Sequence, residues 1–263
     1  MAGNEIDTIT FLLQNIGNIR LNHIGVVESI EAPLTNGGFK TINSIQELSI
    51  VSTEDSNKKA DIYINGKGVS LKQSGASFPF NRLQRAELLE VFKSLQIQNP
   101  EDKLNQIDNE IDNFHNGLLK NRNQPWNKLF TENDFKILVR YLMTIGSPNV
   151  GISQHPAEFI LESPKYNISP TNIQLYTFDE YFEIFKQNLF FAIRRQWIGQ
   201  SSNSEHTRAL GISKKAGNKR WVYNSISGEP RASKTTGKKW RDDYPPQERR
   251  TVYMLFVEKT TNN

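Results

Sequence analysis

Asp61, Ser70 and Lys72 carry a carboxylate, a hydroxyl and an ammonium group within twelve residues of one another. A carboxylate and an ammonium held together on rigid strands suit a metal ligand beside a group that handles the proton of a water molecule. A polar, solvated face of a sheet is the alternative interpretation. The choice depends on the elements that hold these three side chains.

Two short stretches with strand-like alternation contain these residues. In 60–64 and in 67–73, apolar residues alternate with polar ones, which is the period of half-buried strands. Asn65-Gly66 lies between them and favours a type I′ turn, because both central positions of that turn need a positive φ. We therefore predict a β-hairpin here.

A two-residue loop also predicts the register of this hairpin. Ile62 would lie opposite Val69, and Asp61 opposite Ser70. Directly opposed side chains on one face lie about 5 Å apart at Cβ. Asp61, Ser70 and Lys72 would then project from one face of the sheet, while the apolar residues anchor the other.

This pattern resembles the core motif of the PD-(D/E)xK nuclease superfamily, which includes most type II restriction endonucleases. That motif has an Asp on one strand and [D/E/S/Q]-x-Lys on the next, and here it corresponds to Ala60-Asp61 and Ser70-Leu71-Lys72. The run from Gln73 to Leu83 is similar to the loop-to-helix entry of small restriction enzymes that cut four-base sites. The resemblance covers residues 58–92, and it implies an α/β (α+β) fold with a restriction-endonuclease-like central mixed sheet flanked by helices.

Ser70 departs from this motif, because a second acid is usual at its position and a hydroxyl lacks the charge of a carboxylate ligand. Some family members with Ser there supply the acid from the next helix. Glu87 is the first candidate for that acid and Glu90 the second. Glu5, on a predicted opening helix, is a third, and Gln73 is a possible catalytic residue. Ordinary surface residues are the alternative for the glutamates.

The resemblance also implies a cofactor and residue roles. Mg²⁺, for which Mn²⁺ could substitute, would be bound by Asp61, Glu87 and the Leu71 carbonyl. Lys72 would orient or deprotonate the attacking water, which the metal also acidifies. Ser70 would form a hydrogen bond in place of the missing acid.

Composition narrows the remaining possibilities. The chain has 263 residues, 37% of them hydrophobic, and no Cys, so thiolate chemistry is excluded and one large or two modest domains are expected. Its longest apolar run, Val252–Val257, is too short to span a bilayer, and its first residues do not resemble a secretion signal. Four scattered His residues disfavour a zinc or HNH site. The absence of phosphate-loop and GxGxxG motifs disfavours a nucleotide cofactor. We expect a cytoplasmic, prokaryotic protein with no membrane partner.

Positive charge is concentrated near the C-terminus. The window 206–250 contains twelve Lys or Arg and four acids, a net charge of +8, so that the remainder carries −4 of the total of +4. Such a segment is typical of a surface that faces phosphates, and a solvated basic rim is the alternative. The predicted DNA-binding residues are Asn81, Arg82, Lys214, Lys215, Lys219, Arg220, Lys234, Lys238, Lys239 and Arg241.

Periodicity predicts the remaining elements. Helices are expected at 4–16, 82–95, 99–124, 132–145 and 177–199. Strands are expected at 24–30, 45–51, 159–161, 210–214, 220–226 and 250–259, with a basic hairpin at 214–220. We predict a catalytic domain over 1–125 and a β-rich DNA-recognition domain over 126–263.

Together these features predict a type II restriction enzyme, a sequence-specific endonuclease that hydrolyses double-stranded DNA with Mg²⁺. Two alternatives remain: a DNA-binding protein with a decayed nuclease motif, and a non-specific nuclease of repair or defence. Monomer and homodimer are both open.

Overall fold

The structure, a computed structural model, describes residues 3–35, 37–51, 58–147, 151–225, 230, 237 and 239–261. Its α-helices are α1 Gly3–Gln14, α2 Ile45–Val51, α3 Arg85–Ser94, α4 Pro100–His115, α5 Glu132–Arg140, α6 Phe178–Phe185 and α7 Asn203–Ser213. Its strands are β1 Arg20–Leu21, β2 Gly25–Val26, β3 Ile30–Pro33, β4 Phe39–Thr41, β5 Ile62–Ile64, β6 Lys67–Gln73, β7 Phe78–Leu83, β8 Asn123–Pro125, β9 Phe159–Ser163, β10 Gln174–Thr177, β11 Leu189–Ile198, β12 Val222–Asn224 and β13 Arg250–Lys259. Within the described residues, no helix combines the length and the apolar character needed to cross a membrane.

The chain forms two compact units, each built from separate stretches of sequence. The first contains 1–80, 136–189 and 259–263, and the second contains 81–135 and 190–258. The sequence places a single boundary near residue 125. The units follow a different division, because segments from both halves of the chain contribute to each of them.

A six-stranded mixed sheet in the order β10-β9-β6-β5-β3-β4 forms the centre of the first unit. The pair β6 and β9 is parallel, and the other neighbours are antiparallel. One face of the sheet is apolar and packs on α1, with Ile9 and Leu12 of the helix against Val69, Leu71 and Leu161 of the strands. This packing leaves the opposite face of β6 for polar side chains.

The second unit contains a five-stranded sheet in the order β12-β13-β11-β8, with β7 also paired to β13. Helix α7 packs on it through Ala209 and Ile212, which contact Val252 and Met254 of β13. Both units therefore combine helices with a sheet, and the chain is a mixed α/β protein, consistent with the α+β class predicted from the sequence.

Two segments predicted as strands are helical. Residues 45–51 form α2, and 210–213 belong to α7. Each of these helices follows a serine cap: Ser44 Oγ accepts a hydrogen bond from the Glu47 N–H, and Ser202 Oγ accepts one from the Glu205 N–H. The Ser-x-x-Glu pattern marks a helix start, and it outweighs the β-branched residues that suggested strands.

The long helix predicted over 177–199 is also wrong. A capping box of Thr177 and Glu180 begins α6, which ends at Phe185 and continues only as a short 3-10 turn. From Leu189 the chain is β11, which pairs with β8. Because β11 is a central strand, its apolar residues are buried on both faces of the sheet. A continuous apolar run of this kind cannot be distinguished from a buried helix by its composition.

The remaining corrections concern the basic region and the helix after the hairpin. The predicted basic hairpin 214–220 does not form. Most of this segment belongs to a 3-10 helix, Ala216–Trp221, which leads into β12. The helix predicted from residue 82 begins at Arg85, after the strand β7. The strand predicted at 250–259 is confirmed as β13.

Candidate active site

The β5–β6 hairpin has the predicted turn and register. Asn65 and Gly66 have φ angles of 50° and 75°, and Ile62 lies opposite Val69. The Asn65 side chain also accepts hydrogen bonds from the backbone N–H groups of Glu28 and Ser29 at 2.8 and 3.0 Å. The turn is therefore anchored to the preceding segment, which keeps the two strands in register.

Asp61, directly before β5, points toward β6. Its Oδ2 accepts hydrogen bonds from the Leu71 N–H at 2.7 Å and from the Ser70 hydroxyl at 3.3 Å. Because a backbone N–H holds the carboxylate, the orientation of Asp61 is set by the strand and not by a mobile side chain.

Lys72 completes the group. Its Nζ donates to Ser70 Oγ at 2.7 Å and to the Leu71 carbonyl at 2.9 Å, and it lies 3.9 Å from Asp61 Oδ2. Ser70 is buried, whereas the side chains of Lys72 and Asp61 keep 22% and 25% of their exposure. The structure thus brings together Asp61, Ser70 and Lys72 at a position that solvent can reach.

The ammonium group of Lys72 lies among three oxygen atoms: a carboxylate, a hydroxyl and a backbone carbonyl. Hard divalent cations such as Mg²⁺ prefer oxygen ligands of these kinds. In the described part of the chain, no three His, Asp or Glu side chains are grouped to hold a metal ion. The carboxylate of Asp61 and the Leu71 carbonyl are ligands of the kind that Mg²⁺ takes, and a second carboxylate would have to come from another element.

A cavity of about 310 Å³ adjoins Lys72 in the first unit, and Glu5 on α1 lines it together with Leu71 and Gln73. Glu5 and Gln73 are both half-buried. Of the three predicted glutamates, Glu5 is thus the one that borders the cavity beside Lys72. Gln73 also borders this cavity.

Glu87 and Glu90 belong to α3 in the second unit. Glu87 is ion-paired with Lys215 of the same unit, while Glu90 is exposed. Their roles as metal ligands remain predictions. The ion pair of Glu87 with Lys215 links α3 to the basic segment.

Sequence reasoning missed two charged residues near this site. Lys59 is buried, with Nζ donating to the Leu142 carbonyl at 2.6 Å. Burial, together with the charge of Lys72, lowers the pKa of Lys59 to about 7, although Asp61 acts in the opposite direction. A lysine two residues before the motif aspartate carries no signal in the sequence by itself.

The second missed residue is Glu162 on β9, the register partner of Lys72. Its Oε1 accepts from the Tyr181 hydroxyl at 2.9 Å and from Lys259 Nζ at 2.5 Å. Burial of these groups lowers the pKa of Lys259 and raises that of Tyr181. In the sequence, Glu162 could have been noticed as an acid directly after the apolar run 159–161.

The predicted DNA-binding residues have diverse surroundings. Asn81 and Arg82 are half-buried on β7, and Lys214 and Lys219 are exposed, as is Lys239. Arg241 pairs with Asp243. Lys234 and Lys238 lie outside the described residues.

Arg220 is engaged with helix α4. It pairs with Asp112, whose Oδ1 also accepts a hydrogen bond from the Tyr223 hydroxyl at 2.5 Å. Both hydrogen bonds lower the pKa of Asp112 below its ordinary value of 3.8, and the one from Arg220 has the larger effect. Asp108 of the same helix is buried and accepts hydrogen bonds from Arg85 and from the Trp221 indole N–H.

Asp112→Asn should therefore lower the free energy of unfolding by about 1 kcal/mol near neutral pH. A carboxyl with a depressed folded-state pKa stabilises the fold above its unfolded pKa and loses this contribution as the pH falls through the folded value. The difference between variant and parent should vanish in acid. Urea unfolding at pH 7 and at a pH well below 3.8 measures it, and Arg220→Met should show the same trend. A difference that stays constant with pH would contradict this account.

No protein-family model matches the chain, and no curated protein or solved structure matches it significantly. The class of protein must therefore be inferred from the site itself.

Proposed function

We propose that this chain is an endonuclease that hydrolyses phosphodiester bonds of double-stranded DNA with Mg²⁺, at a short specific sequence. The main support is the convergence of Asp61 Oδ2, Ser70 Oγ, the Leu71 carbonyl and Lys72 Nζ on one point of a rigid hairpin. The motif resemblance predicts this arrangement.

Each group has a task in such a reaction. Asp61 and the Leu71 carbonyl would hold the ion, and Ser70 would hydrogen-bond beside them. The bound ion would supply charge neutralisation at the phosphate and acidify a water molecule. Lys72 Nζ donates hydrogen bonds to oxygen atoms at this point, so it is suited to hold the attacking water or a phosphate oxygen.

The fold of the first unit supports the same proposal. It has a mixed sheet with an antiparallel hairpin, a parallel neighbour β9 and a first helix packed on the apolar face. A restriction-endonuclease-like sheet, which the motif implies, is part of this proposal. Asp61, Ser70 and Lys72 lie at its central strands, where packing holds side chains most firmly.

We assign the second acidic ligand to Glu5, with Glu87 and Glu90 as the alternatives that the motif resemblance implies. Glu5 shares the cavity of Leu71 and Lys72, and the opening helix that carries it is packed on the sheet by Ile9 and Leu12. A cage of Asp61, Glu5 and the Leu71 carbonyl would hold a divalent cation with two carboxylates, which restores the charge that Ser70 cannot provide.

Glu5→Gln should therefore reduce cleavage by about 10²-fold, since loss of one carboxylate ligand costs several kcal/mol of transition-state stabilisation. Glu87→Gln and Glu90→Gln should have small effects on the rate constant. Asp7→Asn, an exposed acid of the same helix, is the matched control. Single-turnover cleavage of a plasmid measures all four variants. A larger loss in Glu87→Gln would assign the ligand to α3, and four equal, small losses would show that the acid comes from elsewhere.

Incubation of a plasmid and of a long linear DNA with and without Mg²⁺ tests the proposed function. We expect cleavage with Mg²⁺, cleavage with Mn²⁺ in its place, no cleavage in EDTA, and discrete bands from the linear DNA. Binding without any cleavage would favour a DNA-binding protein with a decayed motif. A smear in place of bands would favour a non-specific nuclease.

A further inference from the structure

The second unit contains a cavity of about 650 Å³ that none of the predicted site residues lines. Its walls include three arginines, Arg122, Arg194 and Arg195, and the aromatic residues Phe114 and Trp197. Glu205 is the acidic residue in this lining. The cavity is thus cationic and partly aromatic, a combination that suits a nucleotide.

Arg195 lies beside two aromatic rings of this cavity. Its guanidinium carbon lies 5.4 Å from the ring centroid of Phe114 and 5.1 Å from that of Trp197. No carboxylate within the described ranges forms an ion pair with it. A guanidinium positioned by aromatic rings keeps its planar set of N–H donors, and such a fork recognises two adjacent acceptors.

Two further polar atoms of the cavity residues are buried and lack partners. Neither Trp197 Nε1, a donor, nor Gln200 Oε1, an acceptor, has a hydrogen-bond partner among the residues that the structure describes. Buried polar atoms are rarely left unpaired in proteins. The residues of this wall therefore include hydrogen-bonding groups that no described residue uses.

More arginines surround Glu205 than one carboxylate can neutralise. Arg208 pairs with Glu205 at 3.0 Å, and Arg194 lies 3.8 Å from it. Burial and the charges of Arg194 and Arg208 lower the pKa of Arg82 to about 10. This excess of positive charge is suited to a neighbouring phosphate.

We propose that this cavity reads one guanine of the DNA substrate, with Arg195 donating to guanine O6 and N7. The arginine–guanine contact is the commonest specific contact in the major groove, and only G·C presents two guanine acceptors next to a cytosine donor there. Arg82, Arg194 and Arg208 hold the adjacent phosphate. The inference rests on the proposed function and extends it to a base-reading site.

Selection from a randomised duplex library in EDTA, followed by affinity measurement, tests this site without cleavage. Arg195→Lys keeps the charge but loses the planar fork, and Trp197→Leu removes a ring that lies beside the guanidinium. We expect Arg195→Lys to lose about 10-fold or more of the preference for guanine at one position, while its salt dependence of binding stays that of the parent. Trp197→Leu should weaken the preference at the same position, because the Arg195 guanidinium loses one of the two rings beside it. Arg20→Lys, an exposed arginine, is the control.

The other outcomes separate this site from the proposed function. A selected sequence that is the same for Arg195→Lys and the parent would overturn the base-reading site and leave the nuclease proposal intact. Equal weakening on all sequences, with a smaller salt slope, would show a phosphate contact and also overturn it. A parent protein that retains no DNA would overturn both. Thermal unfolding of each variant verifies that the fold is kept.

Discussion

Asp61→Asn is expected to lower the rate of DNA cleavage by more than about 10³-fold, since it removes a charged ligand worth several kcal/mol in the transition state. Asparagine can still accept a hydrogen bond from the Leu71 N–H, which Asp61 now does at 2.7 Å. The hairpin should therefore fold as before. DNA binding in EDTA should be unchanged or tighter, because a carboxylate that repels phosphates is gone.

Single-turnover cleavage and binding in EDTA measure these two effects separately. Asp61→Ala is the harsher variant, and it should also be inactive, but it leaves the Leu71 N–H without its acceptor. Full activity in Asp61→Asn would remove this site from consideration.

Lys72→Met is expected to reduce cleavage by about 10²- to 10⁴-fold, the range for loss of a group that handles a proton in the transition state. Methionine keeps the length of the side chain and removes the donors that now contact Ser70 Oγ and the Leu71 carbonyl. Binding of DNA in EDTA should persist, because the loss of one positive charge changes it only modestly.

Lys67→Met is the matched control for this variant. Lys67 lies on the same strand, and its exposed side chain pairs with Glu158 at 3.1 Å. It should retain cleavage close to that of the parent. If Lys67→Met and Lys72→Met lost activity equally, the effect would be one of general charge, and Lys72 would have no special role.

The hairpin that holds the candidate site could be predicted from local sequence because its determinants are local. Asn65-Gly66 specifies a turn in which both residues have positive φ, and the alternation of apolar residues specifies which side chains share a face. Register follows from these two features alone. This is why Asp61, Ser70 and Lys72 were expected together and lie together.

Helix and strand assignments failed where two local signals competed. At 45–51 and 210–213, β-branched and apolar residues suggested strands, yet Ser44 and Ser202 cap helices there. At 189–198 the apolar run is a strand because β8 pairs with it, and that partner lies more than sixty residues away along the chain. The serine caps could be recognised from the sequence, whereas the pairing of β11 with β8 could not.

The sequence by itself determined the turn, the alternating faces and hence the meeting of one carboxylate with one ammonium group. Tertiary structure alone decided which acid borders their cavity, because α1 reaches the sheet through packing of Ile9 and Leu12 and not through any local rule. It also decided that the Arg195 guanidinium lies close to the rings of both Phe114 and Trp197, since Phe114 comes from a helix that is distant in sequence. Contacts between residues far apart along the chain depend on how helices and strands pack, and that information is not contained in any short stretch of the chain.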